Sequence, residues 1–470
     1  MSRVSTVGAV CLIVAVSSLW NSSVCSAQKA QKTEIPNMQD LSRVAIQELK
    51  ETQTPGAVIA IVSGDKVIFT KAYGIADIET GEPTSPDMLF QIGSTTKMFV
   101  AASLLNLSRN GRLTLDAPIG SYLKDLGPQL SQVTAHQLLT HTAGLIDKLD
   151  DVGSPDESSL ASGVRSFVTD GAFFTQPGQV FSYSSLDYDV AGLLMQRIAG
   201  KPFADVMQDE VFDPLGMSKT TFRLTTAVTF PLAVGNVAPN KVWRPIEDRT
   251  AEWGSGGLLY SNVHDLAQFA IAFMNGGKLD GRQVLDPSVI REMSTGYTTI
   301  LTRFTNGQYG YGLMLHDYRG LHVVEHHGSV PGFGCTFEMV PEYHFAFIAL
   351  YNRQDAAGGR LKKTEEKAFS MFMPLTPPTV EATQTPMAIS QAEMLSYVGK
   401  YRYGHESTIQ IVVHNGKLET DDGVPIIKVG DHQFLFMNPH DPPTQFWIGR
   451  GVDGRHQYLH ISLHAWEKTS

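Results

Sequence analysis

The spacing of apolar and polar positions changes period along this chain, and the changes divide it into regions. In TPGAVIAIVSGDKVIFTKAYGIAD, two β-rich runs flank Ser63-Gly64-Asp65-Lys66, which predicts a hairpin after a polar leader. Helical spacing then dominates from Lys97 to about Asp209, broken by Gly/Pro loops. Its first segment, Lys97 to about Asn110, is apolar nearly all round (Met98, Phe99, Val100, Ala101, Ala102, Leu104, Leu105, Leu107) and is closed by Gly111. A helix with no polar face is a buried helix. Strand-like runs return near residues 258–260, 311–315, 321–326, 335–340 and 345–351. A sheet drawn from both ends of a domain around a helical block is an α/β (α+β) arrangement with mostly antiparallel pairing.

The texture changes again near the C-terminus. Residues 374–389, beginning PLTPPTVEATQTP, form a Pro/Thr-rich linker nearly free of charge. Beyond it, STIQIVVHNGKLET places two alternating runs around Asn415-Gly416, a type I′ hairpin signal. With HQFLFMN, TQFWIGR and QYLHISLHAW, this predicts a small all-β domain over 390–470. At the other end, Arg3, the ten apolar residues from Val7 to Val16, and small residues before Gln28 read as a cleavable export signal over 1–27. The main domain is then 28–373, and the expected location is periplasmic or secreted. No later run reaches 18 apolar residues, so no transmembrane segment is expected.

Composition narrows the classes of partner. With 42% hydrophobic and 18% charged residues the chain reads as globular. A net charge of −10 without a basic run argues against nucleic acid and anionic membrane surfaces. Of the three cysteines, Cys11 and Cys25 leave with the signal, so Cys335 has no partner and stability must come from the core.

Candidate chemistry starts with Ser-x-x-Lys, which occurs four times, at Ser26, Ser63, Ser94 and Ser121. Ser26 sits at the cleavage point, Ser63 flanks a hairpin turn and Ser121 opens a loop. Only Ser94 opens a long helix. Residues three apart on a helix have Cβ atoms ~5–6 Å apart, so Lys97 can reach the Ser94 hydroxyl. The helix N-terminus favours an oxyanion there, and a desolvated lysine loses basicity towards a useful range. The competing reading is an ordinary Ser N-cap.

Three segments in order carry a family resemblance. Ser94-Thr-Thr-Lys97 resembles the Ser-x-x-Lys signature of penicillin-binding proteins and serine β-lactamases. PGQVFSYSSLDYDVAGLL resembles the Tyr-x-Asn motif of class C β-lactamases and related esterases, with Tyr183 in place and Ser185 where Asn is usual. EHHGSVPGF resembles Lys-Thr-Gly in a His-x-Gly form, with His326 and Gly328. The resemblance covers Pro55 to Asn352, and implies a β-lactamase/penicillin-binding-protein-like fold followed by a lipocalin-like β extension. It also implies a Ser94 acyl-enzyme, with Lys97 and Tyr183 sharing base duty. The oxyanion would lie between the N–H groups of Ser94 and Ser329, and His326 would orient Tyr183 or a substrate carboxylate. Ser185 would touch Lys97 or substrate, and His141 in LTHTAGL would fix a loop. The expected substrate is a small ester, a D-amino-acid-type peptide or a lactam, with no cofactor and no metal. The oligomeric state is not encoded in any motif.

Two rival classes have their own signals. HVVEH, His322 to His326, matches a His-x-x-Glu-His metallopeptidase pattern. That chemistry needs a helix, whereas Val323 and Val324 predict a strand, with the two imidazoles ~13 Å apart. A binding or assembly protein that keeps the fold without turnover is the second rival, prompted by Ser185 and His326. Ser94, Lys97 and Tyr183 together argue against it.

Overall fold

A computed structural model describes residues 37–469, apart from 125, 148–155, 168–171, 245–253, 302–304, 355–360, 379–384 and 405–406. The expected signal at 1–27 and part of the expected linker lie outside the described residues. The longer helices of the main region are α1 (Met38–Glu51), α2 (Thr96–Arg109), α3 (Ser185–Ala199), α4 (Val263–Met274) and α5 (Lys362–Phe372).

Gly56–Ser63 and Lys66–Asp77 form the expected hairpin, with Ser63 opposite Lys66 and Gly64 at φ +68° in its turn. They belong to a nine-stranded antiparallel sheet among the described residues. From one edge it runs Thr298–Thr299, Thr305–Tyr309, Met314–Tyr318, Leu321–Val330, Phe333–Val340, Phe345–Tyr351, then the hairpin and Glu82–Pro83. Along the first hairpin strand Val58, Ala60 and Val62 face the core of α2 and α4. Ala57, Ile59 and Ile61 face α1 and α5 with Leu41, Ala45, Phe369 and Phe372. A strand covered on both faces reads as a continuous apolar run, which is why AVIAIV carries no alternation.

Several boundaries differ from expectation. The leader contains α1, whose Asn37 side chain accepts from Gln39 N–H at 3.0 Å and whose apolar stripe is only Leu41, Ala45 and Leu49. Residues 311–313 do not pair. Gly312, at φ +70°, packs so tightly on α2 that a Cβ there would lie 2.7 Å from the Lys97 carbonyl oxygen, and the strand begins at Met314. Near 258–260 only Tyr260–Ser261 is a strand, paired with Phe90–Gln91. The strand expected to end at His326 continues to Val330.

The C-terminal region is an eight-stranded antiparallel sheet preceded by a short helix, Gln391–Tyr397. Asn415 and Gly416 turn the hairpin of Ser407–His414 and Lys417–Thr420 with φ +50° and +73°, the positive pair a type I′ turn requires. Its edge strands, Lys417–Thr420 and Ile426–Gly430, are linked by a bridge between Glu419 and Pro425, so the sheet curls round Tyr401, Ile411, Phe434, Phe446 and Leu459. The expected class is therefore borne out: helices against a mostly antiparallel sheet, then a region of eight strands. Among the described residues no helix is long and apolar enough to cross a membrane.

Candidate active site

Ser94 lies in a single 3-10 turn, Gly93–Thr95, that leads into α2. It does not cap the helix. Thr95 holds that position, and its hydroxyl donates to the His326 carbonyl at 3.2 Å, which ties α2 to the Leu321–Val330 strand. Lys97 is fully buried one turn on, and its Nζ donates to Ser94 Oγ at 3.2 Å, to Ser185 Oγ at 3.3 Å and to the Gly256 carbonyl. Burial lowers the Lys97 pKa to about 8, while Asp147, Asp189 and Asp187 oppose that fall.

The glycine of the His-x-Gly segment is a packing requirement. A Cβ on Gly328 would lie 1.8 Å from the Ile92 carbonyl oxygen, and one on Gly93, itself at φ +55°, 2.5 Å from Ser329 N. Only two glycines allow the strand to touch the turn before α2. The contact brings the Ser329 amide against Gly93, the residue before Ser94.

Tyr183 is buried just before α3, with Lys97 Nζ 4.8 Å from its ring centroid. Burial, then Tyr309, hold its pKa well above 10, so the phenol is neutral and a donor. The Ser94 hydroxyl beside it lowers that pKa in part, and the buried Tyr183 hydroxyl has no hydrogen-bond partner of normal geometry among the described residues.

His326 is buried with partners on both ring nitrogens. Its Nδ1 lies 2.8 Å from the His327 carbonyl and so carries the proton, and its Nε2 accepts from the Tyr309 hydroxyl at 3.2 Å. Burial, then Lys97, push its pKa down to about 3. It is a neutral imidazole with both nitrogens engaged, its Nε2 on Tyr309 and its ring centroid 6.3 Å from that of Tyr183. His141 behaves as expected of a loop-fixing residue. Its Nδ1 is 2.8 Å from Asp187 Oδ2, its carbonyl accepts from Ser182 N–H, and its ring lies tilted against that of Tyr183, centroids 4.4 Å apart. Ser185 touches Lys97, as one of its two expected alternatives had it.

Asp147, Asp187, Asp189 and Tyr309 complete the surroundings and had no sequence signal of their own. Asp187 and Asp189 sit inside the second motif, at two and four residues past Ser185, which is the one clue available.

The zinc rival loses its ligand pair, because His322 is exposed beside Asp317 at 3.7 Å while His326 is buried four residues along an extended strand. Three donors that could hold a metal are instead Glu325, His327 and Glu338, whose ligand atoms lie within 4.8 Å of one another on the other face of the sheet. They are joined as ion pairs, His327 Nε2 at 2.8 Å from Glu325 and 3.3 Å from Glu338.

Comparison with known proteins agrees with this geometry. The sequence profile of the family described as Beta-lactamase matches residues 41–369. Unguisins hydrolase ungD' of Aspergillus campestris is 28% identical over 345 residues, 69% of this chain and 63% of that protein. Esterase EstB of Burkholderia gladioli is 31% identical over 269 residues, 48% of this chain and 67% of that protein. The crystal structure of SurE superposes with a TM-score of 0.72 at 20% identity, covering 92% of this chain and 98% of SurE. The chain spans less than two thirds of the length of the two unguisins hydrolases it matches, at 63% and 61%.

Proposed function

The chain belongs to the Beta-lactamase family, and from that premise we propose that it is a hydrolase acting through an acyl-enzyme on Ser94, with a small ester or a D-amino-acid-type peptide as substrate. One observation carries the reading: a fully buried lysine whose amine sits 3.2 Å from the hydroxyl of a partly exposed serine at the mouth of a helix. Neutral Lys97 takes the Ser94 proton as Oγ bonds to the substrate carbonyl carbon. The carbonyl oxygen becomes an oxyanion beside the N–H groups of Ser94 and Ser329. Collapse breaks the bond to the leaving group, which takes a proton from Lys97 by way of the Tyr183 phenol. Water, deprotonated by Lys97, then releases the acyl group and restores Ser94.

Ester or peptide is favoured over a β-lactam or D,D-peptidase substrate by His326. A neutral imidazole with both nitrogens occupied offers no ammonium to a substrate carboxylate, and Ser185 offers no carboxamide. The relatives with named activities, an esterase and an unguisins hydrolase, are consistent with this range. Residues 1–27 are taken as an export signal, and 390–470 as an appended β domain after the linker. A fluorophosphonate probe should label the intact protein at Ser94, with loss of label in Ser94→Ala, and p-nitrophenyl esters should outrun a chromogenic cephalosporin at least ~100-fold in kcat/KM. Label that survives Ser94→Ala, or a cephalosporin turned over faster than every ester, would overturn the mechanism or the substrate class respectively.

A further inference from the structure

We propose that the turn Ser462–His464 of the C-terminal β region is part of the active site, with His464 and Asp147 as positioning residues for Ser185 and Lys97. The proposal rests on the Ser94 acyl-enzyme reading and adds to it a task for the C-terminal region.

Three consecutive residues, Leu463 in the turn and His464 and Ala465 at the start of the strand His464–Lys468, bond to residues around the site. The Leu463 carbonyl accepts from Tyr183 N–H at 2.8 Å, Ala465 N–H donates to Ser182 Oγ at 3.1 Å, and His464 Nε2 lies 3.3 Å from Asp147 Oδ2. The Leu463 side chain packs against Phe181, Tyr183, Ile300, Tyr309 and Met314. Asp147 continues the connection inward. Its Oδ1 accepts from Ser185 N–H at 2.8 Å, and Ser185 Oγ accepts from Lys97 Nζ at 3.3 Å. The Tyr403 hydroxyl, from the same C-terminal sheet, accepts the Asp147 N–H. An unbroken series of polar contacts thus runs from His464 through Asp147 and Ser185 to Lys97 and Ser94.

Charge supports the same arrangement. Lys97 is surrounded by Asp147, Asp187 and Asp189, with His141, His326, Tyr183 and Tyr188 close by. Burial pushes Asp187 well above the carboxylate range and Asp189 up to about 7. Burial acts on Asp147 too, but His464 and the Ser185 N–H outweigh it and hold that carboxyl below its usual value. Of the three carboxyls, Asp147 is the one held below its usual value, by the hydrogen bonds that the geometry gives it from His464 and the Ser185 N–H.

The test uses the full chain with His464→Ala, His464→Gln and Asp147→Asn, each checked for a native thermal transition. Labelling of Ser94 by a fluorophosphonate and the pH profile of kcat/KM for p-nitrophenyl acetate are read. Asp147→Asn removes the anion facing Lys97, so the acidic limb of the profile should move to lower pH by about one unit. His464→Ala should slow acylation about tenfold through misplacement of Ser185 and Lys97, while His464→Gln, which keeps a donor for Asp147, should stay within about threefold of wild type. An unmoved limb in Asp147→Asn, or equal rates for alanine and glutamine at 464, overturns the proposal while wild-type labelling leaves the acyl-enzyme reading intact. Failure of the wild type to label at Ser94 overturns both.

Discussion

Glu325, His326 and His327 are consecutive, yet the two faces of their strand treat charge in opposite ways. On the face away from Ser94, burial alone would neutralise Glu325, but the His327 and His316 imidazoles beside it hold its carboxyl well below the usual range. Glu338 closes that group, so carboxylates and imidazoles meet within ion-pair distance. On the Ser94 face the balance is incomplete, because burial outweighs the carboxylates that face Lys97. His326 is pushed down to about 3 and Lys97 to about 8, both by burial before any other cause. Mutual compensation produces a structural network. Incomplete compensation leaves an amine that can give up its proton near neutrality, and that is what a general base requires.

The comparison breaks most visibly at Lys97. Lys97→Met should lower kcat/KM for an ester by ~10²–10⁴-fold with the thermal transition retained, as steady-state kinetics and calorimetry would record. A near-wild-type rate would remove Lys97 from the mechanism. On the opposite face Glu325→Gln should do the reverse, lowering stability by about 1.5–3 kcal/mol in denaturant titrations while Ser94 labelling stays within a few-fold. Should labelling fall in step with stability, the two faces are not separable.

Acid should then distinguish them by where stability is lost. His326 has a folded pKa of about 3 against 6.5 when free, so the unfolded chain binds the extra proton and stability declines as pH falls from 6.5 towards 3. Glu325, depressed from 4.5, contributes stability that is complete above 4.5 and is lost below it. His326→Gln should flatten the first part of a stability-against-pH curve and Glu325→Gln the second. One common loss starting at a single pH would contradict the separation. Hydrolysis itself should climb through pH 8 as Lys97 deprotonates, a trend opposite to any stabilising role of its charge. The smallest effect is expected at Cys335, buried opposite Gly328 with its thiol pushed by burial up to about 12. Cys335→Ser should keep most activity with a slightly lower melting temperature, and a total loss of acylation would point to thiol chemistry.

Ser94, Lys97, Tyr183, Ser185, Gly328 and Ser329 were legible before any coordinates because their relation is local or follows a family motif. A three-residue helical spacing puts an amine beside a hydroxyl whatever the rest of the fold does. Gly328 was legible through the motif alone, and that it must meet Gly93 backbone to backbone was not. The partner of His326 was not, because Tyr309 lies on an unanticipated strand whose short, polar run, TNGQY, carries no alternation.

By itself, then, the sequence determined the elements whose pattern is set by burial: the all-apolar α2, the hairpin strand covered on both faces, the C-terminal run of alternating strands, and the Ser-x-x-Lys turn. Only the tertiary structure decided which charges meet. The Asp147–His464 contact spans 317 residues of chain, and no periodicity encodes so long a separation. Nor does spacing reveal that Glu325 gains imidazole partners while its neighbour His326 is left neutral. Protonation depends on the number of charges within a few ångströms and on the water excluded around them, and both quantities exist only once the faces of the sheet are covered.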